Sequence, residues 1–315
     1  MQKAWFTFAA EMDLKDLPPD GDELVLYASW LICSGHCSSP GSLRQYLSSV
    51  RTLCRDQGLY CPSPAEYGPL LNTVVGMGRR FPGPVRRSLP VTAEILRNLV
   101  HTLPPPTPSW YLSTILSVFV DTSILLYFTM LRSSNLFPPH PGAADPMRQL
   151  TWDRVRNIDT GVVLTVILAK TLQYRERVHQ VCLAALPGSP FCPVAALNRL
   201  ADVRGRHTIM ESDLVIQIPS EATGWKPMVK YQYLAWFKAR LAQMGLPSHR
   251  YHIHGWRHGS VAAALALVEN TSLVRVASDH ISDALFTYSN IDPVHRMEVT
   301  RKMLADIDSP GSQRV

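Results

Sequence analysis

YLSTILSVFVDTSILLYFTML, residues 111–131, is an almost unbroken apolar run of about the length that crosses a bilayer. Whether it spans a membrane or forms the centre of a globular domain determines what kind of protein this is. Asp121 stands in the middle of the run, and hydroxyl side chains interrupt it on both sides. A carboxylate at the centre of a bilayer is energetically costly. We therefore predict a buried core helix and no membrane association.

The segments that follow this helix predict a mainly α fold with one small antiparallel sheet, in the α+β class. GVVLTVIL (161–168) and VHQVCL (178–183) are β-branched runs separated by the polar stretch AKTLQYRER (169–177), which indicates a β-hairpin. Apolar periodicity predicts further helices near residues 93–103, 193–202, 228–244, 255–268 and 293–306.

The first ninety residues are predicted to form a separate, all-helical domain. Proline and arginine replace helical periodicity in PGPVRRSLPVT (82–92), which is the best candidate for a domain boundary. We place the two domains at residues 1–85 and 86–315. Six cysteines lie far apart in a chain without a secretory signal, so we expect reduced thiols in an intracellular protein.

A formal net charge of +6 on 315 residues is compatible with an anionic partner, but the placement of arginine is more informative. In PGSLRQYLSSVRTLCRDQGL (40–59), Ser42 can cap a helix that has one apolar face. The opposite face carries Arg44, Arg51 and Arg55 without interleaved acids. Two interpretations remain open for this basic stripe: a solvated surface, or a helix that lies along a phosphate backbone.

YHIHGWRH, residues 251–258, concentrates histidine at the start of an apolar helix. The window has neither cysteine nor carboxylate, so no metal site is predicted. His254 and Arg257 form an H-x-x-R arrangement instead. A guanidinium and an imidazole at a helix N-terminus suit a phosphate and a proton transfer. His252 and His258 are expected to be structural supports.

Further along the chain the other parts of a phosphoryl-transfer site can be found. MLRSSNL contains an arginine at the end of the apolar helix, LAKTLQYRERV a lysine beside the hairpin turn, and SDHISDALFTY a histidine eight residues before a tyrosine. With HGWRH, the ordered set resembles the tyrosine recombinases, also called the phage-integrase family. The implied catalytic residues are Arg132, Lys170, His254, Arg257, His280 and Tyr288.

The resemblance covers nearly the whole chain and implies a helical, SAM-like core-binding domain followed by a recombinase catalytic domain. It is strongest to the branch with a G-D-W-x-S-x-A-x-x-x-Y pattern, found in Crypton, DIRS-like and Ngaro-like eukaryotic mobile elements. Two positions depart from the pattern. Asn135 stands where an acidic residue usually follows the first arginine by three positions, and His280 replaces the tryptophan common in that branch.

The resemblance implies a site-specific recombinase or integrase that cuts and rejoins DNA through a 3′-phosphotyrosyl intermediate, without metal, ATP or another cofactor. The implied partner is double-stranded DNA, with a homo-oligomer assembling on it through the C-terminal helix, which offers Val294, Met297 and Leu304. Localisation is intracellular, in the nucleus if the source is eukaryotic. The arginines expected to contact DNA are Arg44, Arg51, Arg55, Arg79, Arg80, Arg86 and Arg87.

Each implied catalytic residue, taken singly, also has a structural interpretation, such as a helix C-terminal cation for Arg132 or a packing role for Tyr288. Their order along the chain favours the catalytic one. Two alternatives stay open: a DNA-binding protein descended from a recombinase that no longer cuts, and a type IB topoisomerase. Target sequence, reaction direction, accessory factors and source do not follow from these residues.

Overall fold

A computed structural model describes residues 1–80, 88–102, 109–168, 178–205, 208–221, 224–279 and 293–308; of residues 78–80 and 293–296 it describes the backbone alone. The chain divides into two compact units, Met1–Arg86 and Arg87–Val315.

The first unit is helical throughout its described part. Its elements are α1 (Gln2–Glu11), α2 (Gly21–Cys33), α3 (Pro40–Asp56) and α4 (Gly68–Arg80). Trp5, Phe8 and Tyr27 are completely buried at its centre, where their rings contact one another. Helix α3 begins earlier than Ser42, the predicted cap, because Ser39 is the capping residue: its Oγ accepts from the Ser42 amide at 3.1 Å, and proline follows at the first helical position.

The second unit contains the apolar helix and both sheets. Its elements are α5 (Ala93–His101), α6 (Trp110–Thr129), β1 (Val155–Ile158), β2 (Gly161–Val166), β3 (His179–Ala184), α7 (Pro193–Arg204), β4 (Gln217–Ser220), β5 (Gly224–Pro227), α8 (Lys230–Gln243), α9 (His254–Leu267), α10 (Thr271–Ala277) and α11 (Pro293–Asp308). The mainly α class is confirmed.

The predicted hairpin is confirmed, since β2 and β3 pair antiparallel with Val163 opposite Cys182. The prediction of a single small sheet was incomplete. Strand β1 extends the hairpin to three strands, and β4 and β5 form a second, two-stranded sheet. Strand β1 is VRNI, a short segment with a partly exposed edge and no β-branched run, so periodicity alone did not distinguish it from a loop.

Helix α6 is the buried centre of the second unit, as predicted. Its length and mean hydropathy of 1.6 over an 18-residue window would suit a membrane span, yet 72% of that window is buried inside the protein. The carboxylate of Asp121 accepts from Nε and Nη2 of Arg199 on α7 at 2.9 and 2.6 Å. Burial raises the pKa of Asp121 to about 6, and the Arg199 charge limits the rise.

Helix α11 packs against its own chain. Met297 and Leu304 are 0% and 1% exposed, and the Thr300 hydroxyl donates to the Cys182 carbonyl of β3 at 3.1 Å. Both side chains, which we expected to be available to a neighbouring protomer, are thus covered here. An apolar helix face can be buried equally well in cis or in trans, and sequence periodicity is the same in both cases. The oligomer itself stays a prediction.

Candidate active site

The backbone turns sharply where α6 ends. Met130 closes the helix in the left-handed conformation, with φ of 52°, and Arg132 follows two residues later, just before a 3₁₀ turn at Ser133–Asn135. A left-handed C-cap without glycine carries a steric cost, but it stops the helix within one residue. The carbonyl of Met130 then points away from the helix and accepts a hydrogen bond from another element.

The donor of that hydrogen bond is Arg257, in the first turn of α9. Its Nη1 donates to the Met130 carbonyl at 2.7 Å, and its Nη2 donates to the Ser278 carbonyl just beyond α10. The residue is only 4% exposed. Burial, followed by the nearby charge of Arg132, lowers the pKa of Arg257 to about 10, and the carboxylate of Asp279 opposes this shift. The guanidinium therefore remains charged at neutral pH.

Arg132 lies close to Arg257. Its Nη1 donates to Oδ2 of Asp279 at 3.0 Å, and its side chain is 23% exposed. One guanidinium comes from the turn after α6 and the other from α9, and both contact the same short segment, Ser278–Asp279. Two arginines and one carboxylate leave a net positive charge at this site, and two guanidiniums, one buried and one partly exposed, are suited to bind a phosphate.

His254 is the first residue of α9, and His258 lies one turn later. Their imidazole rings meet edge to face with centroids 4.3 Å apart. The pKa of His254 is lowered, first by partial burial and then by His258, Arg257, Arg132 and Lys230. At neutral pH the imidazole is therefore neutral and able to accept a proton. Lys230, which sequence reasoning missed, contributes to this field from the start of α8.

The N-terminal end of α9 is held by a backbone segment, Ser88–Thr92. The Val91 amide donates to the Gly255 carbonyl at 2.9 Å, and the Leu89 amide donates to the Arg250 carbonyl at 3.0 Å. A Cβ on Gly259 would lie 1.8 Å from the Val91 carbonyl oxygen. Glycine is required here because the backbones are in direct contact. This contact, which the sequence did not reveal, positions both His254 and Arg257.

Asn135, the unexpected residue in the recombinase pattern, is 1% exposed and fully engaged as a donor. Its Nδ2 donates to the Arg148 carbonyl at 3.1 Å and to the Leu168 carbonyl at 2.8 Å. Leu168 follows β2 and directly precedes residues 169–177 in the sequence. The amide therefore joins the 3₁₀ turn after α6 to the end of β2, a role that needs a hydrogen-bond donor.

The other predicted catalytic and DNA-contacting residues are not all described by the structure. Lys170, His280, Tyr288, Arg86 and Arg87 lie outside the described residues. Arg79 and Arg80 end α4, but their side chains also lie outside the description.

The basic stripe of the first unit lies on the solvent side of α3. Arg44, Arg51 and Arg55 are exposed, while the opposite face is buried in the core. Arg51 and Arg55 border a concave pocket of about 370 Å³, also lined by Ser48, Thr52 and Tyr60. Within the described ranges, no group of three or more histidine, cysteine, aspartate or glutamate side chains is placed to hold a metal ion.

No protein-family model matches the chain, and no curated protein matches it. Among solved structures, the Tn1549 transposon integrase in complex with transposon right-end DNA aligns with 90% of this chain and 85% of its own, at 12% identity and a TM-score of 0.51. The fold is the tyrosine-recombinase fold. A lambda integrase dimer on a COC′ core site (16% identity, 93% and 92% coverage, TM-score 0.47) and XerH recombinase on its difH substrate (14%, 84% and 73%, 0.43) also align.

Proposed function

We propose that this chain is a site-specific DNA recombinase that cuts and rejoins strands through a 3′-phosphotyrosyl intermediate. The convergence of Arg132 and Arg257 on Ser278–Asp279 carries the proposal. The two arginines meet at the residue after which the chain enters the segment containing His280 and Tyr288. A phosphate held by the arginines would therefore lie near the start of the segment that supplies the nucleophile.

The proposed reaction is a metal-free phosphoryl transfer. The Tyr288 oxygen attacks a backbone phosphorus, its proton passes to His254, and a P–O bond forms as the bond to the 5′-oxygen breaks. Lys170 gives a proton to the departing 5′-oxygen. Because the phosphotyrosyl ester keeps the energy of the original diester, the reverse attack by a 5′-hydroxyl reseals the strand without ATP.

The arginine pair would stabilise the charge that develops on the non-bridging oxygens. Arg257 is already oriented by two backbone carbonyls and needs no reorganisation, which is the condition under which electrostatic stabilisation is most effective. His280 would add a hydrogen bond to the same phosphate. The lowered pKa of His254 keeps its imidazole neutral, as a proton acceptor must be.

A suicide DNA substrate tests the proposal directly. It carries a nick close to the cleavage site, so that the short fragment with the released 5′-hydroxyl diffuses away and cannot reseal the strand. DNA flanking the gene is the first substrate to use. We expect a covalent protein–DNA adduct in the wild type and none in Tyr288→Phe, whose only change is the loss of the nucleophilic oxygen. Binding without any adduct would identify a non-cutting DNA-binding protein, and relaxation of supercoiled DNA without site preference would indicate a type IB topoisomerase.

DNA contact by the basic stripe is a separate part of the proposal. Exposed arginines along one face of a helix can follow a phosphate backbone. Each phosphate contact contributes about −0.9 to the slope of log K against log salt. Replacing Arg44, Arg51 and Arg55 by glutamine should reduce the magnitude of that slope by about 3. Lys3→Gln, an exposed cation on α1, is the control. A slope unchanged by the triple substitution would exclude the stripe from the interface.

We also propose a mobile-element origin, in the branch that the S-D-H-I-S-D-A-L-F-T-Y sequence resembles, with assembly of several protomers on DNA and a nuclear location in a eukaryotic source. A chain that stays monomeric on its target DNA, measured by sedimentation, would contradict the assembly.

A further inference from the structure

The carboxylate of Asp279 is the contact that links Arg132 to the rest of the arginine site. The two residues are 147 positions apart in the chain, and Oδ2 accepts from Nη1 at 3.0 Å. The Asp279 side chain is 3% exposed and that of Arg132 is 23% exposed. A charge-assisted hydrogen bond in such a dry place is stronger and more directional than one on the surface. It therefore restricts the rotamers available to Arg132.

The residue before Asp279 contacts the second arginine. The Ser278 carbonyl accepts from Nη2 of Arg257, and the Asp279 carboxylate accepts from Arg132. Two consecutive residues therefore contact one guanidinium each. Two like charges this close repel each other. Arg132 lowers the pKa of Arg257 and Asp279 raises it, so the carboxylate offsets the repulsion that would otherwise separate the pair.

The backbone at Asp279 is in the left-handed region, with φ of 50°. Glycine adopts this conformation without steric cost, and aspartate is one of the few residues with a Cβ that adopts it readily. Aspartate satisfies the backbone here and also supplies a carboxylate, which glycine could not.

Asn135 cannot supply this acid. It occupies the position at which the resembled family carries a carboxylate after its first arginine, but its amide donates to the carbonyls of Arg148 and Leu168. In the described structure, the carboxylate that contacts Arg132 is that of Asp279, which comes from a different part of the chain.

We propose that Asp279 is a positioning residue: it holds Arg132 beside Arg257 so that both guanidiniums meet one phosphate, in place of the acid absent at position 135. This inference rests on the proposed recombinase function. Asp279 acts through Arg132 and does not itself contact DNA, so its loss should slow cleavage more than it weakens binding.

Two substitutions separate the carboxylate from the backbone. Asp279→Asn keeps the size and removes the charge, whereas Asp279→Gly also relieves the left-handed backbone. We expect both to lower the single-turnover rate of adduct formation at saturating DNA by about tenfold to hundredfold. DNA affinity should stay within about twofold, because the other basic residues supply most of it.

Asp213→Asn is the matched control, because Asp213 pairs with Arg204 at 3.1 Å with side chains 13% and 16% exposed. It should cleave at the wild-type rate. If Asp279→Asn and Asp279→Gly also cleave at that rate, or lose only DNA affinity, the positioning role is wrong while the recombinase function stands.

A wild type that forms no adduct would instead refute the recombinase function. The coupling between Asp279 and Arg132 is then measured by the urea unfolding midpoints of Asp279→Asn, Arg132→Gln and the double variant. Non-additive shifts of the midpoint would support a coupled pair that organises an anion site, and additive shifts would overturn it.

Discussion

Asn135→Asp would restore the acidic residue of the recombinase pattern. The geometry around Asn135 nevertheless predicts that this substitution will destabilise the protein. The amide nitrogen donates to two backbone carbonyls, at 3.1 and 2.8 Å, in a site that is 1% exposed. A carboxylate at the same place would present an oxygen to both carbonyl oxygens. Two favourable contacts would become two repulsive ones.

The expected loss can be estimated from these contacts. Each buried hydrogen bond removed with its partner left unsatisfied costs about 1–3 kcal/mol. A buried, unpaired carboxylate adds a further penalty, which the group limits by taking up a proton. We expect a decrease of about 3–5 kcal/mol in the free energy of unfolding at pH 7. The pKa of the introduced carboxyl group should be raised by burial. The variant should therefore keep more of its stability at low pH, where the group is protonated, and lose it as the pH rises through the raised pKa.

Urea unfolding at pH 7 and pH 4.5 measures this effect. Asn157→Asp is the control, since Asn157 is exposed on β1 in the same unit and the same change of chemistry there should be nearly neutral. The loss should be clearly smaller at pH 4.5, where a protonated acid can donate one hydrogen bond. If Asn135→Asp is as stable as Asn157→Asp at pH 7, or cleaves DNA faster than wild type, the reasoning about the donor role of Asn135 is refuted.

Three further outcomes are expected. Arg199→Met leaves Asp121 buried without its guanidinium partner and should lower the free energy of unfolding by about 3 kcal/mol at pH 7. Because the pKa of Asp121 is raised to about 6, the carboxyl group is protonated at pH 4, so the variant should be destabilised less there and increasingly as the pH rises; an equal loss at pH 4 would contradict this. Gly259→Ala forces a Cβ to within 1.8 Å of the Val91 carbonyl oxygen and should lower thermal stability by about 3 kcal/mol or more, which calorimetry would detect; a neutral effect would contradict the contact. His254 has a lowered pKa, so adduct formation should persist at pH 6.5 and decline only below it, whereas His254→Gln should be about 10²–10⁴ times slower and lack that acid limb.

Helix periodicity made much of the second unit predictable. The segments near 193–202, 228–244, 255–268 and 293–306 are observed as α7, α8, α9 and α11 with ends that differ by a few residues. Their apolar positions repeat every three or four residues, and proline opens two of them, so local signals agree with the final packing. Strands β1, β4 and β5 were missed because four-residue strands are too short to show alternation, and they exist only through their partners.

The arginine site was predicted in part. The ordered motifs named Arg132 and Arg257, and the structure brings both to Ser278–Asp279. Asp279 occupies the aspartate position of the G-D-W pattern, but a pattern position does not identify a contact, so its pairing with Arg132 was not predicted. The sequence identified Asn135 only as a departure from the pattern, whereas the structure shows that its amide has hydrogen-bond partners of its own.

Local sequence by itself determined the mainly α class, the hairpin and the residue types of the proposed phosphate site, because periodicity, β-branching and motif order are properties of short segments. Tertiary structure alone decided which carboxylate reaches Arg132, which carbonyls orient Arg257, and why Gly259 must lack a side chain. Most of those contacts join residues more than a hundred positions apart, and the distance between two such atoms depends on the packing of every element between them.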